Sequence, residues 1–391
     1  MRQMEVPTAD ADAAREKLRA PARISAQRIR GLDGIRGLAV SAVVVHHAGI
    51  YNTRLGELGV LAFFVLSGYL IVGILDRSLA DVEGGRLPLA TALANFWRRR
   101  FFRICPVYFA ALLAVIAIEL AVLRTHTLLS ESPWYAAYLQ NVYIAFLRPG
   151  WDVFTHTWTL AVEEQFYLLF SFVLLFTHSR GHLRILVLLF AANFVLWVAI
   201  NRLGGEPAER LLPPYAMTFL VAGGILALSG ARMPDILTGR VAFAAAALFA
   251  IWCITRSNAE NFYPPGEYPE AILLLTVAAL GIMLLHITRH QHGRITAVLE
   301  APVLRFLGRI SYGLYLFHYP IAIIGLTPFA ALVTRPGLDP HSVLSRTLFF
   351  LLVCSVAIAL ASVSWFNFES PLIARGRSIR AQQRLEVPPQ R

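Results

Sequence analysis

The sequence predicts an all-α, polytopic membrane helix bundle of about ten transmembrane helices with both termini cytoplasmic. Three observations carry this reading. Hydrophobic residues make up 57% of the 391 residues and charged residues only 15%, whereas soluble domains carry about 25% charged residues. The apolar residues gather in runs long enough to cross a bilayer, with short polar loops between them. Basic residues concentrate in alternate loops, as orientation signals do. The formal charge of +11 therefore reads as topology, and no nucleic-acid partner is expected.

Residues 1–30 have no apolar signal-peptide core and read as a polar, Arg-containing cytoplasmic tail. The membrane domain is placed at 31–373 and a basic cytoplasmic tail at 374–391. Apolar spans fall near 35–51, 57–75, 101–123, 157–176, 183–201, 215–229, 240–255, 270–287, 311–333 and 343–366. An eleventh stretch, 134–147, is interrupted by Gln140 and Asn141. Ten spans put 27 basic residues inside and 8 outside, while counting 134–147 as a span gives 20 and 15. The positive-inside rule favours ten, so 134–147 reads as a re-entrant or interfacial helix on the outer side. Cys105, Cys253 and Cys354 show no metal-ligand spacing and imply no disulfide framework.

The first span, RGLDGIRGLAVSAVVVHHAGI, holds Arg36 near its start and His46 and His47 near its end. Ionisable groups within apolar helices are costly and tend to mark a site. Arg36 and His47 are eleven residues apart, about three turns or roughly 16 Å, so they share one helix face. On the inner side, Arg99, Arg100 and Arg103 join Arg36; guanidinium clusters bind phosphate bidentately, but they also suit a purely topological role. On the outer side, His47 and His156 stand near Glu163, which lies two turns below His156 in TWTLAVEEQFYLLF. An imidazole can take a proton from an alcohol and a carboxylate can orient it; a proton relay is the other reading. His46, His47, His156 and His318 lack HExxH-type spacing, so no metal site is expected. Ser67–Gly68 lacks the G-x-S-x-G elbow and reads as close helix packing.

A phosphate grip inside and a histidine outside suit a donor threaded through the bundle, such as an acyl-CoA. A transporter or flippase that moves a glycan or acylated substrate without chemistry is the rival class. No internal duplication of the kind common in transporters supports it.

The chain resembles the integral-membrane acyltransferase family 3 over about Arg30 to Leu372. The carriers are RGLDGIRGLAVSAVVVHHAGI, LGVLAFFVLSGYLI, WRRRFFRICPVYF, HTWTLAVEEQFYLLF, LGRISYGLYLFHYPI and FNFESPLI, in that order. The family's Arg-then-ten-residues-then-His hallmark falls on Arg36 and His47, and its Arg-x-x-Arg motif on Arg100 and Arg103. Its acidic motif falls on Glu163, with Glu164 the weaker choice. Leu61 stands where an Asp is frequent, His46 where an aromatic is common, and Ser370 where a basic residue is frequent. The resemblance implies a multi-pass enzyme of the bacterial cell (inner) membrane that moves an acyl group, usually acetyl from acetyl-CoA. The acceptor would be a hydroxyl of a carbohydrate, a lipid-linked glycan or a small natural product. Some members carry an extracytoplasmic domain after the last helix, and none is expected within this length. The expected roles are His47 as general base, Glu163 orienting it or stabilising its imidazolium, and Arg36, Arg100 and Arg103 as phosphate ligands. His156, Trp158, Glu164 and His318 are the candidate residues on the acceptor side.

Overall fold

The computed structural model describes residues 28–48, 55–148, 150–203, 208–256, 269–334, 339 and 342–376. Most of the two predicted tails lies outside the described residues. Among the described residues every regular element is helical. The principal helices are α1 (Leu32–Ala48), α2 (Leu55–Glu83), α3 (Leu89–Ile118), α4 (Trp158–Leu175) and α5 (His182–Leu203). They continue as α6 (Pro213–Ser229), α7 (Arg240–Arg256), α8 (Pro269–Arg289), α9 (Ser311–Thr334) and α10 (Val343–Ser364).

Each of these overlaps one predicted span. Eight described helices are long and apolar enough to cross a membrane; α1 and α7 are shorter, at 17 residues each. The chain is a multi-pass membrane protein. The stretch 134–147 is not one helix but parts of two, Thr127–Ala136 and Gln140–Phe146, neither of crossing length. The chain turns between them at Tyr138, whose φ is 53°. Gln140 Nε2 donates to the Thr157 carbonyl at 2.9 Å and Asn141 Nδ2 to that of Leu211 at 3.2 Å. Both are fully buried; Gln140 ties the segment to the residue before α4, and Asn141 ties it to the short helix before α6 and accepts from Gln165 of α4.

Two apolar cores organise the bundle. One is built on α2, α4, α6 and α8, with Phe64, Phe166, Phe170 and Phe219 at its centre. The other joins α1, α3, α9 and α10 through Val40, Val43, Tyr108, Leu314 and Ala357. Helices α5 and α10 form an outer wall whose large apolar side chains, such as Leu188 and Val363, face outward as lipid-facing residues do. The start of α1 is fixed by Glu300, whose Oε1 accepts from the Gly31 N–H at 2.7 Å. Glu369, within FNFESPLI, is 2% exposed and accepts from Ser364 Oγ at 2.8 Å. That motif thus closes α10 and sets a carboxylate within electrostatic reach of Arg103.

Helices α2 and α6 run along each other because small residues let their backbones meet. A Cβ on Gly68 would stand 1.7 Å from the Leu220 carbonyl oxygen, and one on Gly223 would stand 2.0 Å from that of Val65. Gly68→Ala should therefore cost about 1–3 kcal/mol as an overpacking change, read as a lower unfolding temperature in detergent. Gly181→Ala, where the nearest foreign atom is 3.9 Å away, should leave that temperature unchanged. Equal behaviour of the two variants would contradict this packing.

Candidate functional site

Between the two cores lies a cavity of about 770 Å³, within the ordinary size range of small-molecule sites. Its walls come from α1, α2, α3, α4 and α9. Arg28, Arg36, Arg77, Arg99, Arg100 and Arg103 line it, against three carboxylates, Asp33, Asp81 and Glu163. The lining is therefore cationic and suits an anionic ligand. Arg36, on the second turn of α1, donates from Nη1 to Asp33 Oδ1 at 3.1 Å. On α3, Arg100 lies over the Tyr167 ring, 5.6 Å from its centroid, a cation–π contact. The Nε of Arg100 is buried without a hydrogen-bond partner. Arg98 is turned instead to Asn95, donating to its Oδ1 at 2.7 Å.

Glu163 reaches this cavity from α4. Its Oε1 accepts from Ser67 Oγ and its Oε2 from Tyr167 O–H, both at 3.0 Å. Successive helical residues point about 100° apart, so the next two side chains leave the cavity. Glu164 does not line the cavity but is in electrostatic contact with Glu163 and Arg100 as well as Cys105, Tyr138 and Tyr312, and its Oε1 is buried without a partner. Gln165 donates to the Tyr138 carbonyl and to Asn141 Oδ1, both at 2.9 Å.

Thr159 and Tyr315 also line the cavity, and the Tyr315 ring lies 5.5 Å from that of His156 and 5.7 Å from that of His318. Tyr315 O–H donates to the His156 carbonyl at 2.6 Å, so the 2.7 Å contact with Thr159 has the threonine as donor. Behind this pair stands an imidazole cluster. His47 Nδ1 is 3.0 Å from His318 Nε2, and the His156 ring lies 5.5 Å from that of His318. Tyr319 packs edge-on to His47 at 4.9 Å and tilted against His156 at 4.9 Å. His156 is 2% exposed, and neither ring nitrogen has a partner. Among the described residues, no group of three His, Cys, Asp or Glu side chains is arranged to hold a metal ion.

Two expectations are corrected by this geometry. Arg36 and His47 do not share one open tunnel: Arg36 lines the cavity and His47 does not. They do lie on one helical stripe with Val40 and Val43, but both valines are fully buried in the second core, so the stripe between them is packed. Nor does Glu163 orient His47. Its acceptor atoms are engaged by Ser67 and Tyr167, and His47 is bonded to His318. Trp158 joins neither group, packing half-buried against Phe64 with ring centroids 6.3 Å apart.

Arg36, Arg100, Arg103 and Glu163 are thus brought together, and His47, His156 and His318 form the second cluster. Sequence reasoning missed Ser67, Tyr167, Thr159 and Tyr315. Tyr167 carried a signal, four residues after Glu163 on the same helix face. Ser67 was read only as a small packing residue; Gly68 does that work while Ser67 bonds the carboxylate.

Comparisons with known proteins agree with the motif reading. The acyltransferase-domain family profile matches residues 29–366. The chain is 29% identical over 338 residues to the peptidoglycan O-acetyltransferase OatA of Listeria monocytogenes, covering 81% of this chain and 52% of that protein. It is 26% identical over 338 residues to the O-acetyltransferase OatA of Staphylococcus aureus, covering 76% and 51% respectively. The chain therefore spans about half the length of these curated relatives. No solved structure matches at a significant level. With the family profile covering nearly the whole described bundle, the chain belongs to the integral-membrane acyltransferase family 3.

Proposed function

We propose that this protein is an O-acyltransferase that moves an acyl group, acetyl by preference, from cytosolic acyl-CoA to a hydroxyl of a carbohydrate or glycan acceptor. The observation that carries the reading is the cavity in which Arg36, Arg100 and Arg103 face Glu163. The names of the relatives, peptidoglycan O-acetyltransferase and O-acetyltransferase, support acetyl as the group and a glycan as the acceptor class.

The residues present fit a phosphorylated donor. Arg100 Nε is a buried donor without a partner, and buried polar groups are ordinarily satisfied; a phosphate oxygen would satisfy it. Arg36, Arg100 and Arg103 would hold the phosphates through charge-assisted hydrogen bonds. Acyl-CoA, when bound, supplies the acyl group as an activated thioester. The chain's own residues do the rest. Glu163 holds Ser67 and Tyr167 in place and offsets part of the arginine charge. His47 takes the proton of the acceptor hydroxyl as general base, a contribution typically of 10²–10⁴-fold. Because Tyr315 and Thr159 separate the cavity from the imidazoles, their contact must part for the donor's reactive end to meet His47.

Purified protein in nanodiscs with radiolabelled acetyl-CoA and glycan acceptors tests the reading directly. Label should appear on the glycan with free CoA released, whereas a transporter would leave the thioester intact. Arg100→Ala should weaken CoA binding about tenfold or more, given 1.5–3 kcal/mol for a hydrogen bond to a charged group, as measured by calorimetry. If its only effect were on membrane insertion, the arginine would be a topology signal. His47→Ala should abolish glycan acetylation while CoA affinity and membrane accumulation stay at wild-type values; acetylation that persists in this variant removes His47 from the mechanism.

A further inference from the structure

His318 is fully buried on α9, with its Nδ1 2.7 Å from the Tyr315 carbonyl oxygen and 3.2 Å from that of Leu314. A carbonyl oxygen only accepts, so Nδ1 of His318 must carry the proton. In a neutral imidazole the other nitrogen is then an acceptor. That nitrogen, Nε2, faces Nδ1 of His47 at 3.0 Å. Nδ1 of His47 must therefore donate, and the basic lone pair of His47 is left on Nε2.

The neutral state of this pair follows from its surroundings. His46 and His156 are the titratable rings beside it from α1 and from the segment before α4. Tyr315 and Tyr319 come from α9 itself. Among the described residues no carboxylate is hydrogen-bonded to the His47–His318 pair, and a buried charge without a partner is expensive. The tautomer is thus set by backbone: carbonyls fix His318, His318 accepts from His47, and the Val43 carbonyl also meets the His47 ring.

We propose that His318 is the positioning residue of this site, holding His47 in the Nδ1-protonated tautomer so that Nε2 is presented to the acceptor hydroxyl. This inference rests on the reading of His47 as general base, and it puts His318 where the sequence had placed Glu163. A wrong tautomer leaves the ring in place with its proton on the nitrogen that should receive one, so the loss falls on turnover and not on donor binding.

The test compares His318→Leu with His318→Gln, expressed as the full chain in a strain lacking the native protein. A Gln side chain restores an acceptor oxygen where Nε2 stood, and Leu cannot. The readouts are base-labile acetate on surface glycans, CoA affinity of the purified protein, and diethylpyrocarbonate modification of His47 measured by peptide mass spectrometry. H318L should lower acetylation by about 10²-fold and slow modification of His47, with CoA affinity unchanged. H318Q should recover acetylation to within about tenfold of wild type, with His47 again modified at the wild-type rate. Wild-type acetylation in H318L overturns the proposal, as does acetylation in H318Q as low as in H47A. Should H318L fail to accumulate, H318Q against H47A decides the matter alone. Persistent acetylation in H47A would instead overturn the general-base reading, so the two failures are distinguishable.

Discussion

A guanidinium group within an apolar bundle is tolerated only where water, a counter-charge or a ligand meets it. Here Arg36, Arg100 and Arg103 converge on one cavity together with three further arginines and only three carboxylates. That concentration of charge shapes the rest of the fold. Helices α1, α2, α3, α4 and α9 supply its lining, and the two apolar cores pack on its flanks. Tyr167 offers its π face to Arg100, and Ser67 and Tyr167 satisfy the one carboxylate that α4 sends in. The cavity is held open by the cost of burying those groups dry, and a phosphorylated ligand is the chemistry that would relieve it.

The second constraint is the separation of this cationic cavity from the imidazole cluster. Thr159 and Tyr315 form the partition, tied by two short hydrogen bonds to each other and to the His156 backbone. The partition keeps the imidazoles away from the arginines and from Glu163. His47 is therefore tuned not by a carboxylate but by a neighbouring imidazole whose own tautomer is set by backbone. Such an arrangement leaves the base neutral and ready to accept a proton, without placing an ion pair in the membrane interior.

Much of this was legible in the sequence because lipid punishes exceptions. The placement of the spans followed from apolar length and arginine asymmetry, and the grouping of Arg36, Arg100 and Arg103 followed from charge in otherwise apolar segments. What failed was the inference from a shared helix face to a shared cavity. Arg36 and His47 do lie on one stripe, but periodicity is silent on what fills the space between, and Val40 and Val43 fill it. The pairing of His47 with His318 spans 271 residues, a distance no local pattern covers. Glu163 was singled out as a carboxylate within an apolar span, and it lines the cavity from α4, half-buried. Its partners were not singled out, because a serine beside a glycine reads first as packing. Gln140 and Asn141 looked like interruptions of a span, and they prove to be the anchors of a docked segment.

The most direct test of the account is a density map of the full-length protein in nanodiscs with a non-hydrolysable acetyl-CoA analogue. Phosphate density is expected against Arg36, Arg100 and Arg103, with the acyl end directed toward Tyr315 and the imidazoles beyond it. Phosphates bound elsewhere, or an arginine cavity that keeps only water at saturating analogue, would contradict it.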